Sequence, residues 1–230
     1  MSTIHWLLSG DNWQGSDGIP VRLVQHIKIT LFAIGLAVVV ALPVGLYFGH
    51  RRRGGFFAVN VSNIGRAIPT LAILIIFAAT EQIGIGDRAA IYALAIFAIP
   101  PILTNTYVGM LGVDPDAVEA ARGMGMRGHQ VLLKVELPLA LPLIAAGLRT
   151  ASVQVVATAT LAALVAGGGL GRFIVDGFAQ QDHPEIYGGA VLVALLSIVT
   201  ELVLGLVERR VTPGKRRPRE KVLETIGVGA

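Results

Sequence analysis

Glu119-Ala120-Ala121-Arg122-Gly123-Met124-Gly125, running on to Val135-Glu136-Leu137-Pro138, is a polar island between two long apolar blocks. Asp114 is a suitable N-cap, and Pro115 fits the first helical position, where its missing N–H costs nothing. Asp116 and Glu119 fall near the positive end of the helix dipole and Arg122 near the negative end, so each charge is favourably placed. Ala117, Ala120 and Ala121 are strong helix formers of little bulk that would let another backbone approach closely. Gly123 and Gly125 stop or turn this helix. A second helical run is expected from Gln130 to Leu137, ending before Pro138, which disfavours helix in the residue preceding it. A chain that leaves an apolar block to expose a helix, a glycine hinge and a second helix is presenting something to a partner in water.

The surroundings of the island are membrane-like. The chain is 53% apolar before its 28 glycines are counted, with mean hydropathy +0.68. A soluble domain reaches roughly 45–50% with glycine included. There are no cysteines, which excludes disulfides, thiolate metal sites and a catalytic thiol. The net charge of +4 is not a nucleic-acid signature, because the basic residues sit at segment ends rather than on one face. Residues 1–20 lack a basic n-region and a continuous apolar run, so no cleavable signal peptide is expected. Trp6 and Trp13 are candidate interface anchors there.

Five apolar blocks follow, at Ile27–Phe48, Phe56–Thr80, Ala89–Val113, Leu139–Val165 and Ile186–Val207. Each supplies the roughly 20 residues that one bilayer crossing needs. With the N-terminus outside, the cytoplasmic side collects Arg51-Arg52-Arg53, Arg122, Arg127, Lys134 and the basic residues from Arg209 to Lys221. The outer side keeps only Arg22, Lys28, Arg88 and Arg172. The expected organisation is an extracytoplasmic tail over 1–22 and a transmembrane domain over 23–207. That domain holds a cytoplasmic loop at 114–138 and an outer glycine-rich and amphipathic segment at 167–185. A basic cytoplasmic tail covers 208–230 and reads as an anchor to anionic lipid.

The island resembles the EAA loop of ABC-transporter permeases, whose pattern is E-A-A, three residues, G, nine residues, then a β-branched residue, any residue, L-P. Glu119, Ala120, Ala121, Gly125, Val135, Leu137 and Pro138 all sit at the family spacing, with Val135 where the family more often has Ile. Further segments, Ile64-Gly65-Arg66-Ala67-Ile68-Pro69-Thr70, Lys134-Val135-Glu136-Leu137-Pro138-Leu139-Ala140 and Gly167-Gly168-Gly169-Leu170-Gly171 among them, resemble permeases that import glycine betaine, carnitine and choline. The likeness runs from about His26 to Gly189. Importers of methionine and sulfonates share part of this vocabulary.

The resemblance implies an all-α, multi-pass type I ABC importer permease in a prokaryotic cell membrane, with its C-terminus cytoplasmic. It also implies that the Glu119 loop docks in a cleft of a cytoplasmic ATPase dimer. A separate binding protein and a second permease copy, identical or sister, complete the assembly. The chain itself needs no cofactor, and ATP and Mg belong to the partner ATPase. A secondary transporter or a membrane scaffold is the reading from other classes. The EAA spacing and the lack of a clear intramembrane acidic relay or internal repeat stand against the secondary transporter. An unchanged uptake on deletion would mark the scaffold.

Other constellations carry less. Gly123-Met124-Gly125-Met126-Arg127-Gly128 satisfies G-x-G-x-x-G, but a helix precedes it where a dinucleotide site needs a strand. Gly167–Gly171 lacks the Lys and Ser/Thr of a phosphate-binding loop. His5, His26, His50, His129 and His183 are scattered and read as solvated or interfacial, so neither a metal site nor a catalytic group is expected. Arg66, Arg149 and Glu201 read as structural charges, Glu201 pairing with a nearby arginine. Thr104, Asn105, Gln154 and Thr158 are candidate pathway-lining groups, with interhelical hydrogen bonding as the alternative role. Aromatic residues are too few for a quaternary-ammonium cage, which points to selection by the binding protein. Phe173, Ile174 and Phe178 against Asp176, Gln180 and Gln181 make an amphipathic stretch that is either a short interfacial helix or a plain loop.

Overall fold

A computed structural model describes residues 2–211, apart from the side chains of Phe57, Ala58, Val59, Ser62 and Arg66. The expected role of Arg66 and most of the basic tail therefore lie outside the described residues. The described chain is helical, in the order α1 (Thr3–Leu8), α2 (Ile19–His50), α3 (Gly55–Ala67), α4 (Thr70–Ala79), α5 (Asp87–Leu111), α6 (Pro115–Gly123), α7 (Gly128–Val131), α8 (Leu137–Thr158), α9 (Gly171–Gln180) and α10 (His183–Val211). Four helical runs are long and apolar enough to cross a membrane: α2, α5, the run Gly128–Val165 that contains α8, and α10.

The second apolar block is delivered as two shorter helices rather than one. Ile68 is extended, with φ −78 and ψ 124, and Pro69 caps α4. The clash between a proline ring and the preceding residue drives that residue out of the helical region, which breaks the block in two.

α5 is the spine. Of its most apolar window 61% is buried within the chain, against 6% for α10. α2 and α8 flank it at close range. A Cβ on Gly45 would lie 2.8 Å from Thr106 Cβ, and one on Gly49 2.4 Å from Met110 Cβ, so α2 meets α5 through absent side chains. A Cβ on Gly147 would lie 2.5 Å from Asn105 Cβ, which fixes the α5–α8 approach in the same way. Lipid offers no hydrophobic drive between helices, so small residues that maximise contact hold the bundle together. Ala33, Ala37, Ala41, Ala89, Ala90, Ala93, Ala98 and Ala151 fill the core with Ile29, Leu94 and Ile102.

The helix expected to end before Pro138 does not end there. The turn Leu132–Glu136 is a π-helix, closed by the Leu137 N–H donating to the Leu132 carbonyl, and α8 continues through Pro138 and Pro142. The extra residue in the wide turn relieves the clash of the Pro138 ring with the carbonyl four residues back and keeps the axis running. At its other end α8 tightens into a 3₁₀ turn over Ala159–Val165, and the chain reverses at Ala166 with φ +61.

The N-terminal segment is packed into the bundle. Trp6 is 7% exposed, edge-on to Phe173 at 5.3 Å and seated over Gly188, so it is a core residue rather than an interface anchor. Trp13 is half exposed and donates its indole N–H to the Leu7 carbonyl at 2.8 Å. The amphipathic outer stretch forms α9, with Phe173 buried as its face requires. Phe178, expected on the same face, is 67% exposed, because five residues of α-helix turn it well away from the side on which Phe173 is buried.

Gly147→Val drives two methyls into Asn105 and the Pro101 carbonyl, which would lie 3.1 Å from a Cβ. It is expected to destabilise the chain by about 1–3 kcal/mol. Thermal unfolding in detergent measures this, and an unchanged midpoint would show that α5 and α8 are not held at this distance.

Candidate functional site

α6 begins as its sequence dictates. The Asp114 carboxylate accepts the Asp116 N–H at 2.9 Å, and Pro115 occupies the first turn. It ends with the Met124 N–H donating to the Ala120 carbonyl at 3.0 Å and the Met126 N–H to the Ala121 carbonyl at 3.2 Å. Gly125 has φ +82, the left-handed turn that glycine takes without cost. Arg127 then starts α7, its N–H donating to Gln130 Oε1 at 2.8 Å.

The two faces of this element have different jobs. Val118 and Ala121 are buried against Met110, Val113, Val131, Ala140 and Ile144, with Val135 and Leu137 packed on the same cluster. Glu119, Ala120, Arg122, Gly125 and Pro138 are exposed, and Met124 at the tip is 73% exposed. Of the two central alanines, only Ala120 is open to a partner. Ala121 is small so that α6 can lie on its own bundle.

The root of the element holds a feature absent from the sequence reading. Glu136 is 2% exposed, and its Oε2 lies 2.5 Å from Nδ1 of His50, at the end of α2. A carboxylate taken out of water needs a partner, and His50 supplies it. His50, expected to be solvated or interfacial, is thus partly buried and paired. The two are 86 positions apart, so no local pattern joins them. The usable signal is a lone glutamate at the mouth of an apolar helix, which demands a hydrogen-bond partner from elsewhere.

His26, also expected to be solvated or interfacial, is 0% exposed. Its Nδ1 accepts the Leu170 N–H at 3.2 Å, so the proton sits on Nε2, which donates to the Val156 carbonyl at 2.9 Å. Beside it the Gly169 N–H donates to Gln25 Oε1 at 3.1 Å and the Gly168 N–H to Asp87 Oδ1 at 2.7 Å. The glycine-rich segment is thereby fastened to α2 and α5 at the end of the bundle opposite α6.

The polar groups expected along a pathway fall in two places. Gln154 is exposed and Thr158 half buried on one face of α8, with exposed Thr150 one turn before them. Thr104 and Asn105 turn inward on α5. The Thr104 hydroxyl is buried without a hydrogen-bond partner among the described residues, and Asn105 donates to the Pro101 carbonyl at 2.8 Å. The expected pairing of Glu201 is present: Arg149 Nε lies 3.6 Å from Glu201 Oε1, and its Nη1 3.2 Å from Glu208 Oε2.

Three comparisons bear on this arrangement. Residues 33–217 match the family described as binding-protein-dependent transport system inner membrane component. The glycine betaine/carnitine/choline transport system permease protein OpuCB of Bacillus subtilis is 40% identical, over 82% of this chain and 86% of its own. The choline transport system permease protein OpuBB of the same organism is 41% identical, over 85% and 90%. The osmoprotectant import permease protein OsmY of Salmonella typhimurium is 35% identical, over 82% and 80%. Among solved structures, an inward-facing MetNI methionine ABC transporter aligns with TM-score 0.73 at 25% identity, covering 93% of this chain and all of the other.

His50→Ala leaves the buried Glu136 without its partner and is expected to cost about 3 kcal/mol of stability, the low end for a broken buried pair. The modest value reflects a His50 ring that is still 22% exposed. The double variant His50→Leu/Glu136→Leu recovers most of the loss. A double-mutant cycle on thermal unfolding in detergent reads the coupling, and strictly additive single losses would show the pair to be uncoupled.

Proposed function

Because this chain belongs to the family of binding-protein-dependent transport system inner membrane components, multi-pass and non-catalytic permease subunits of ABC importers, we propose that it is the permease of an osmoprotectant importer. Its substrates on this reading are quaternary amines of the glycine betaine, carnitine and choline type. The observation that carries the substrate class is the agreement of relatives at 40% and 41% identity over more than four-fifths of the chain. The methionine transporter is the structural likeness, at 25% identity. Methionine is therefore the alternative solute.

In the mechanism we propose, Glu119–Pro138 is the coupling element, and the coupling-loop end of the bundle faces the cytoplasm. The exposed face of Glu119, Ala120, Met124 and Gly125 docks on an ATPase dimer that binds ATP and Mg. The buried face of Val118 and Ala121 ties that surface to the bundle. Closure of the ATPase dimer on ATP moves the element, and α8 moves with it, since one continuous helical run joins the two. A second permease copy supplies the other wall of the pathway, and the uncovered face of α8 bearing Gln154 and Thr158 is our candidate for this chain's share. The bundle then opens outward to take substrate from a docked binding protein, and hydrolysis returns it. The domain limits we assign are those of the sequence, 1–22, 23–207 and 208–230.

Gly125→Asp puts a side chain on a backbone at φ +82 and a carboxylate on the docking face. The strained left-handed position costs roughly 1–3 kcal/mol and distorts the turn, and with the added charge on the docking face, energy-dependent uptake of labelled glycine betaine is expected to fall while the chain stays in the membrane. Full uptake by this variant would end the coupling assignment. Unchanged glycine betaine uptake on deleting the chain, in cells with no second betaine system, would overturn the substrate class and leave the permease family intact.

A further inference from the structure

The chain leaves α2 through Arg51, Arg52, Arg53 and Gly54. Arg52 has φ +48, a left-handed backbone that non-glycine residues seldom adopt and that clusters where surrounding structure has a use for it. Its effect is to divide the basic run. Arg52 turns toward the root of α6, where its Nη2 donates to the Val113 carbonyl at 2.9 Å. Arg51 and Arg53 instead line a separate cleft of about 610 Å³, together with Arg122 of α6 and with Tyr47, His50 and His129.

Three guanidiniums from two elements thus face one hollow. Among the described residues none of the three has a carboxylate partner, and Arg51 lies over the Tyr47 ring at 5.5 Å. Glu136, behind the His50 wall, is buried and already paired. The cleft is therefore concave, cationic and uncompensated, where an ordinary solvated surface interleaves both signs.

We propose that this cleft binds the phosphate-bearing headgroup of an anionic phospholipid in the leaflet on the α6 side. Chemistry selects phosphate, because a planar guanidinium fork matches its oxygens with two parallel hydrogen bonds. Position selects lipid over a free anion. The cleft lies where the 32-residue apolar α2 ends and just before the apolar run of α8 begins, which is headgroup level. Tyr47 and Leu132 supply apolar wall on the hydrocarbon side. Basic pockets between transmembrane helices are the established physical form of such sites. A bound headgroup would bridge the end of α2 to α6 and α7, beside the His50–Glu136 contact. The proposal holds whichever solute the permease carries.

The test uses the full chain in neutral detergent, alone and with its ATPase, titrated with short-chain phosphatidylglycerol or phosphatidylcholine and read by native mass spectrometry. One phosphatidylglycerol per chain is expected, bound in preference to phosphatidylcholine in both preparations. Arg51→Gln, Arg53→Gln and Arg122→Gln each weaken it by about fivefold, the loss of one basic residue's attraction. Arg52→Gln, equal in charge but turned to Val113, leaves it unchanged, and circular dichroism checks that each variant is folded. Three results would overturn the site. Arg52→Gln could weaken binding as much as the others, which would mean net charge alone. Millimolar inorganic phosphate could displace the lipid completely, which would mean a free-anion site. The ATPase could exclude the lipid, which would mean that the cleft belongs to the partner protein.

Discussion

A chain in hydrocarbon has no water to complete its hydrogen bonds, so every irregularity in these helices must carry its own remedy. The irregular places in this protein can be read as such remedies. Where Pro138 would break the run into α8, a π-turn closed from the Leu137 N–H to the Leu132 carbonyl absorbs the misfit. Where α8 tightens into its 3₁₀ end, the Nε2 proton of His26 meets the Val156 carbonyl. Where the chain reverses through glycines, the N–H groups of Gly167, Gly168, Gly169 and Leu170 are taken by the Ala162 carbonyl, Asp87, Gln25 and His26 in turn. The polar side chains inside this membrane protein serve backbone geometry first.

That constraint explains what sequence could and could not tell. The apolar blocks, the cap at Asp114, the turn at Gly125 and the spacing from Glu119 to Pro138 are local, and each was readable because its physics is contained within a few residues. The pairing of Glu201 with an arginine was also within reach, since two opposite charges in neighbouring apolar blocks have few other partners. The sequence expects His26 and His50 to be solvated or interfacial, and it shows neither the burial of His26 nor the pairing of His50. Nothing local marks a histidine whose partners are 130 and 144 positions away, or 86. Pro138 was misread as a stop because the rule applied to it assumes α-geometry, and a π-turn changes the register on which that rule rests. Pro69 obeyed the rule because no wide turn precedes it.

The two ends of the bundle are built on opposite principles. At the α6 end an exposed, tightly capped helix sits on a small apolar cluster and the buried His50–Glu136 contact, a rigid body on a narrow base. At the other end a glycine-rich segment is stitched to α2 and α5 by side-chain acceptors, one per amide. α5 joins them, and its neighbours approach it through Gly45, Gly49 and Gly147, where there is no side chain to compress. Packed interfaces of this kind do not deform gradually. They hold one arrangement or move to another, as close-packed cores do.

The proposed coupling element therefore does not need to be flexible to act at a distance. On that proposal a displacement of α6 would be passed to α8 through the helical run from Gly128 to Val165, and to α2 through His50 and Glu136. α2 and α8 grip the same spine, and His26 ties α2 to the far end of α8. A motion that separated α2 from α8 would break the buried His26–Val156 bond, whereas one that carried both helices together would keep it. The hydrogen-bond economy of the membrane interior thus favours concerted movement of α2, α5 and α8 as one unit.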